Sequence, residues 1–378
     1  MERKKVLNDV LAKKRVLVAP LDWGLGHATR CIPLVRELLS RNADVILAAD
    51  GRPYDLLKRE FPSIPIVRLP GFAVRYSEQG DIVLGMLRQL PGIASSVFRE
   101  HRTLKTMIRD FRIDAVISDN RFGLFARSIP CVYVTHQIAI IMPRSLKWIS
   151  PIVLSLHKLI IRQYDECWIP DYSGNENLSG TLSHGFPLPK NAHYIGPLTR
   201  FKKGPDGRTE YDVLAALSGP EPQRTIFESM IIEQLKEMRC KSLVVRGIPE
   251  KNQHIRISDS LSVVSFLESE ALNKAMQASE IILARPGYST LMDLAVLGKQ
   301  AILVPTPGQT EQEYLAGELR KKDEFYVHGQ EHFVLEDAIA QARKKPGFSR
   351  KPSSEHLIKE AVQRLMLMTN LGESLTQQ

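Results

Sequence analysis

The sequence predicts an α/β protein of two parallel-sheet domains facing each other across a cleft. Three observations carry this. Short Val- and Ile-rich runs alternate with helical patterns from one end of the chain to the other, as expected for βαβ units whose strands are buried on both faces. The alternation breaks once, at the polar, Gly- and Pro-containing stretch from Leu198 to Asp212, and then resumes. With 378 residues, the chain is long for one core and comfortable for two.

In the first half, strands are expected at Val16–Ala19, Val45–Ala48, Ile64–Leu69, Ala115–Ser118, Cys131–Thr135 and Cys167–Ile169. A helix follows the first of them, because Ile32, Val35 and Leu39 recur at helical spacing. This half forms a doubly wound domain over residues 1–199, and 200–212 is its linker. In the second domain, 213–378, strands are expected at Val213–Leu217, Ser242–Val245, Val263–Leu267, Ile281–Ala284 and Ala301–Val304. A closing helix, about His356 to Met368, has no strand after it and is placed to fold back on the first domain.

Composition narrows the class. Hydrophobic residues at 43% and charged residues at 25% describe a globular protein. The N-terminal MERKKVLNDVLAKKR is basic but lacks the apolar stretch of a signal peptide, and no run of about 18 apolar residues occurs. Cys31, Cys131, Cys167 and Cys240 are scattered without CxxC spacing, which reads as reduced thiols in a cytoplasmic protein. The net charge of +9 suits phosphorylated ligands or anionic lipid headgroups. Nucleic acid is disfavoured, since no aromatic platform or known module accompanies the charge.

Three strand ends carry candidate chemistry. In WGLGHATR, Trp23 to Arg30, Gly24 and Gly26 make a turn that lets a ligand approach backbone, with His27 at the helix start. The third glycine of a dinucleotide fingerprint is missing, which argues against a nicotinamide cofactor. In ARPGYSTLMDLAVLGKQAILVPTPGQTEQEY, a strand ends at Arg285-Pro286-Gly287 and a helix opens near Ser289 and Thr290, with Asp293 one turn in. Helix N–H groups suit phosphates there, and the carboxylate suits ribose hydroxyls. In LSGPEPQRT, Ser218 and Gly219 open a loop and Arg224 enters the next helix, within reach of a diphosphate. Each stretch taken alone also fits a plain turn or a capped helix. All three together mark strand C-termini of two like domains, the place where open α/β sheets bind ligands.

WGLGHATR and RPGYSTLMDLAVLGKQAILVP resemble the glycosyltransferase family 28 enzymes, among them the N-acetylglucosaminyltransferase of peptidoglycan lipid synthesis. The resemblance implies the GT-B fold, two Rossmann-like domains with a nucleotide-sugar in the cleft. It places Gly24, Gly26 and His27 in the loop facing diphosphate and acceptor, and Thr135, His136 and Gln137 on the acceptor side. Asp293 takes the position of a ribose-binding glutamate, Gln312 that of a glutamine on the donor sugar, and Arg224 that of an arginine after the second phosphate loop. Two departures stand out: Asp293 is a methylene short, and SGPEPQR has prolines where the family has glycines.

No two aspartates stand in an Asp-x-Asp pair, so transfer without a metal or other cofactor is expected, with helix ends and side chains such as Arg224 meeting the leaving-group charge. His27 is the expected general base, deprotonating an acceptor hydroxyl with inversion at the anomeric carbon. The loop GxGHxxR also resembles UDP-sugar hydrolases of nonulosonic acid synthesis, in which water takes the acceptor's place. A non-catalytic nucleotide-sugar binder would have no use for the His27 and His136 pair. Arg102, Lys105, Arg109 and Arg112 form a basic helical stripe, with Arg88 and Arg99 upstream and the apolar VLGMLRQLPGIASSVF beside it. That combination fits an anionic membrane surface and a lipid-linked acceptor.

Overall fold

A computed structural model describes residues 13–71, 82–142, 144–205, 207–348 and 354–376. The basic N-terminal arm, residues 1–12, lies outside them, as do the side chains of Arg88 and its apolar neighbours to position 90.

The first sheet contains β1 (Arg15–Pro20), β2 (Asp44–Ala49), β3 (Ile66–Arg68), β4 (Ala115–Asp119), β5 (Cys131–Val134), β6 (Glu166–Ile169) and β7 (Ala192–Tyr194). Its order is β3-β2-β1-β4-β5-β6-β7, with every pairing parallel. Between β1 and β2 runs α1 (Leu25–Ser40), and between β2 and β3 runs α2 (Gly51–Glu60). On the path from β3 to β4 lies α3 (Ile82–Phe111), and from β5 to β6 lies α4 (Ser150–Ile161). The chain turns back after β3, so α1 and α2 cover one face and α3 and α4 the other.

The second sheet has β8 (Tyr211–Ala216), β9 (Ser242–Val245), β10 (His254–Arg256), β11 (Leu261–Val264), β12 (Ser279–Ala284), β13 (Gln300–Leu303) and β14 (Tyr326–Val327), in the order β10-β11-β9-β8-β12-β13-β14. Only β10 runs antiparallel among these described pairings. Its helices are α5 (Gln223–Glu237), α6 (Ser269–Gln277), α7 (Tyr288–Leu297), α8 (Thr310–Lys322), α9 (Leu335–Ala342) and α10 (Glu355–Thr376).

Local chemistry sets the helix bounds. Gly24, at φ 78° and ψ 179°, ends the turn before α1, whose Ala28, Cys31, Ile32, Leu34, Val35 and Leu38 are buried. Leu39, counted by spacing as a core position, is 42% exposed because α1 turns that edge to solvent. Asn42 at φ 63° closes the helix in a left-handed conformation, with Ala43 N–H donating to the Leu38 carbonyl. The end of α7 follows the same rule at Gly298, φ 64°. β7, β10 and β14, two or three residues each, carry too short an apolar pattern to be read from sequence.

One apolar core runs through both halves. It joins Val16, Val18 and Ile117 of the first sheet to Leu214, Ile282 and Leu303 of the second, through α1, α7 and α10. Met292 and Leu294 of α7 share this core with Leu34 and Leu38 of α1. The closing helix α10 crosses to the first sheet, where Arg364 donates two bonds to Glu166 at 2.9 and 3.1 Å.

Candidate functional site

Each sheet reverses its winding at one point, between β1 and β4 in the first and between β8 and β12 in the second. Loops diverge there and leave a crevice at the strand C-termini. The two crevices meet. Gly26 and His27 follow β1, Asp119 ends β4, Ser218 and Gly219 follow β8, and Gly287 precedes α7 after β12.

His27 is the third residue of α1 and half-buried. Its Nδ1 stands 2.7 Å from Asp119 Oδ1 and 2.9 Å from Arg30 Nη2. Arg30 is buried and donates through Nε and Nη2 to both oxygens of Asp119, a bidentate pair. Arginine can only donate, so a single His27 tautomer cannot serve both neighbours. Nδ1–H donating to Asp119 satisfies all three groups, since Arg30 is already engaged, and it leaves Nε2 unprotonated. Burial alone would raise the Asp119 carboxyl; the charge of Arg30 and the hydrogen bonds from Arg30 and His27 outweigh it and hold the group at about 2. Asp119 is therefore an anion throughout the working range.

The network continues across the cleft. Arg30 Nη1 lies 2.8 Å from His136 Nδ1, and His136 Nε2 lies 2.9 Å from Glu311 Oε1, on α8 of the second domain. With Arg30 as donor, Nδ1 accepts and Nε2–H donates to Glu311. Burial keeps His136 below the usual histidine range despite that carboxylate. Glu311 in turn is held below the ordinary carboxylate range, since His136 outweighs the effect of its burial. Tyr288 stacks on His136 with ring centroids 4.1 Å apart, and its hydroxyl donates to the Pro170 carbonyl at 2.9 Å. Beside them Ser289 Oγ donates to the Gly26 carbonyl at 2.9 Å. Thus His27, Gly26, His136 and Ser289, four of the residues singled out in the sequence, converge at one place.

Others occupy the surrounding shell. Thr135 is buried and its Oγ1 accepts from Gln137 N–H at 3.1 Å, fixing the turn that presents His136. Gly24 caps α1, Gly287 caps α7, and Thr290 sits in the first turn of α7. Gly219, at φ 111°, lies where an added Cβ would come 3.4 Å from Thr306 Oγ1. That hydroxyl is buried with no hydrogen-bond partner, a polar group available beside Ser218 and Gly219.

Four residues are engaged elsewhere. Arg224 pairs with Glu221 and Glu228 and donates to Thr225 Oγ1, so its guanidinium faces its own helix and not an open phosphate site. Arg285 is buried beneath the loops, donating to the carbonyls of Val304 and Pro305 and to Gln330. Gln312 accepts from Thr306 N–H at 2.8 Å and shapes the loop after β13. Asp293 accepts from Thr199 Oγ1 at 2.5 Å; burial pushes its carboxyl up to about 6, only partly offset by Arg200.

Asp119 was not singled out by sequence reasoning, and Arg30, Tyr288 and Glu311 stood in the quoted motifs with no role assigned to them. Asp119 ends a strand in AVISDN, and Glu311 adjoins Gln312, yet nothing in either local pattern reveals its distant partner. Among the described residues no group of three or more His, Cys, Asp or Glu is arranged to hold a metal, and no helix is long and apolar enough to cross a membrane.

Comparison with known proteins agrees with this architecture. Residues 232–366 match the glycosyltransferase family 28 C-terminal domain. An uncharacterised glycosyltransferase of Methanosarcina acetivorans is 23% identical over 324 residues, 79% of each chain. A UDP-N-acetylglucosamine–N-acetylmuramyl-(pentapeptide) pyrophosphoryl-undecaprenol N-acetylglucosamine transferase of Methylobacterium sp. is 44% identical over 57 residues, 15% of each chain. Among solved structures, a spinosyn forosaminyltransferase superposes with a TM-score of 0.57 at 15% identity, over 95% of this chain and all of its own.

Proposed function

The chain is a glycosyltransferase of the GT-B fold resembling family 28, and from that premise we propose that it moves a sugar, N-acetylglucosamine being the first to test, from a UDP-sugar to the hydroxyl of a lipid-linked acceptor. The observation that carries this reading is the network from His27 through Asp119, Arg30 and His136 to Glu311, which sets a basic imidazole nitrogen at the junction of both switch points. The matched relative of Methylobacterium, named for a UDP-N-acetylglucosamine donor and a lipid-linked acceptor, supports the choice of substrates.

In this mechanism the acceptor oxygen attacks the anomeric carbon as its proton passes to His27 Nε2. The bond from that carbon to the diphosphate oxygen breaks, UDP leaves, and the configuration inverts. Asp119 holds the imidazole in the receptive tautomer and stabilises the imidazolium that forms. The leaving charge is met without a metal, by N–H groups at the start of α7 and by the Ser218–Gly219 loop. Thr199 already holds one oxygen of Asp293, leaving the other for a ribose hydroxyl, whereas Arg224 would reach the diphosphate only by exchanging Glu221 or Glu228.

The test is to incubate the protein with radiolabelled UDP-sugars and a lipid extract. Label should enter the lipid phase, and His27→Ala should abolish transfer while leaving UDP binding measurable. Free sugar released at the same rate without acceptor would favour a UDP-sugar hydrolase, and unchanged turnover in the variant would remove His27 from the mechanism.

A further inference from the structure

At the edge of the cleft, four donors converge on one of the chain's own carboxylates. Glu221 lies in the loop between β8 and α5. Its Oε1 accepts from Arg224 Nε at 2.5 Å and from Arg52 Nη2 at 3.5 Å. Its Oε2 accepts from the Thr225 N–H at 3.2 Å and from the Thr225 hydroxyl at 2.7 Å. Arg224 and Thr225 belong to the first turn of α5, whereas Arg52 starts α2 and reaches across from the first domain. Two guanidinium groups, a helix-start N–H and a hydroxyl suit phosphate oxygens as well as they suit a carboxylate.

A second observation in the same loop points to a ligand. Thr306 is only 2% exposed, and its Oγ1 has no hydrogen-bond partner among the described residues. It faces Gly219, two residues before Glu221, at 3.4 Å from where a Cβ would lie. A buried hydroxyl in that position calls for an acceptor, and the glycine leaves space for one to approach.

Arg224 has two carboxylate partners, and they differ in how readily they can leave. Glu228 is buried one turn along the same helix and also stands 2.7 Å from Arg246. Glu221 is on the loop, with its side chain 41% exposed. Burial alone would raise its carboxyl; the hydrogen bonds from Thr225 and Arg224 outweigh it and hold the group at about 2. It therefore stays ionised at working pH, and a competing anion rather than a proton is what can release it.

We propose that Glu221 is an internal stand-in for the donor diphosphate, which displaces it and takes over Arg224 and Arg52 together. This rests on the nucleoside diphosphate donor proposed above. Before the exchange, Glu221 keeps both guanidinium groups turned toward the phosphate loop. During it, Glu250 retains Arg52 Nε at 3.1 Å, so this arginine stays at the rim. Afterwards the diphosphate, with more charge than one carboxylate, ties α5 to α2 and so links the two domains across the cleft.

Titration calorimetry with UDP, inorganic pyrophosphate and uridine tests the exchange. Glu221→Gln keeps an acceptor for the Thr225 N–H and removes the competing charge. UDP and pyrophosphate should then bind about threefold more tightly or better, with uridine unchanged. Arg52→Gln should weaken UDP and pyrophosphate and again leave uridine alone. In an Arg224→Gln background the gain from Glu221→Gln should vanish, because the competition runs through that guanidinium. Should the buried Arg224 variant fail to fold, the partly exposed Glu221 and Arg52 variants decide by themselves. Unchanged or weaker UDP binding by Glu221→Gln would overturn the proposal. So would a gain shared by uridine, or one that persists without Arg224, since either would reflect the general field or the fold. A pyrophosphate response with no UDP binding in any of the proteins would instead sink the UDP donor and leave the exchange standing.

Discussion

Asp119 is the residue on which most of the site depends. It is fully buried, ionised, and the common partner of His27 and Arg30. Asp119→Asn would leave the Arg30 guanidinium buried without its anion, a loss of about 3–5 kcal/mol when one partner of a buried pair is removed. It would also free His27 to adopt the wrong tautomer. The folded fraction should show kcat lower by about 10²- to 10⁴-fold with donor KM little changed; steady-state kinetics beside a thermal melt separates the two effects. A loss confined to KM would show that Asp119 serves binding and not the base.

Asp293 behaves in the opposite sense. Its folded-state pKa is raised to about 6 by burial, so the protonated form is favoured in the fold. The stability this contributes is fully present below the unfolded value of about 3.9 and is lost as pH rises through about 6. Asp293→Asn should raise the melting temperature at pH 8 relative to wild type and change it little at pH 4, where both carry a neutral side chain. If the same variant also weakens UDP-sugar binding at pH 8, Asp293 meets the ribose in the complex; unchanged affinity would confine it to the Thr199 contact.

At the scale of elements, the turn into α1 is fitted to α7. An alanine Cβ at position 26 would lie 2.9 Å from Ser289 Oγ, closer than Cβ atoms come to a neighbour, but 3.6 Å from Ser289 Cβ, an ordinary contact. Gly26→Ala thus displaces the serine hydroxyl and breaks its bond to the Gly26 carbonyl. A bond of this kind contributes about 1 kcal/mol, so activity should fall about five- to tenfold. Ser289→Ala loses the same bond without the clash, and adding Gly26→Ala to it should cost little more. Strictly additive losses would mean the glycine is required for something other than room beside Ser289.

The element scale also shows what a sequence reader can and cannot see. Runs such as Val16–Ala19 and Ile281–Ala284 were legible because a strand buried on both faces must be apolar throughout. Helix starts at Gly24 and Gly287 were legible because glycine turns precede them. Polar or very short strands, such as β10 with His254, Ile255 and Arg256 all exposed, leave no such mark. Arg224 was singled out as a phosphate ligand because it enters a helix after a loop, a pattern that does not reveal Glu221 and Glu228 closing on it.

For the whole molecule, the shared core through α1, α7 and α10 has a mechanical consequence. Domains joined by small polar contacts hinge freely, whereas a large apolar interface resists motion. The two halves should therefore unfold together, in a single calorimetric transition whose van't Hoff and calorimetric enthalpies agree. Two separated transitions would show that the core is divided. Arg364→Ala, which cuts the tie of α10 to Glu166, should lower the midpoint only modestly, since a partly exposed pair contributes about 1 kcal/mol or less.

By itself the sequence determined the α/β class, the sheet-forming runs, and the glycine turns with His27 at a strand end, because burial periodicity and turn chemistry are written locally. Tertiary structure alone decided which charges meet. Asp119 lies 92 residues from His27, and Glu311 lies 175 from His136. Their pairing follows from strand order and domain docking, which bring distant chain ends to one crevice, and a buried ion pair has no periodicity by which one partner announces the other.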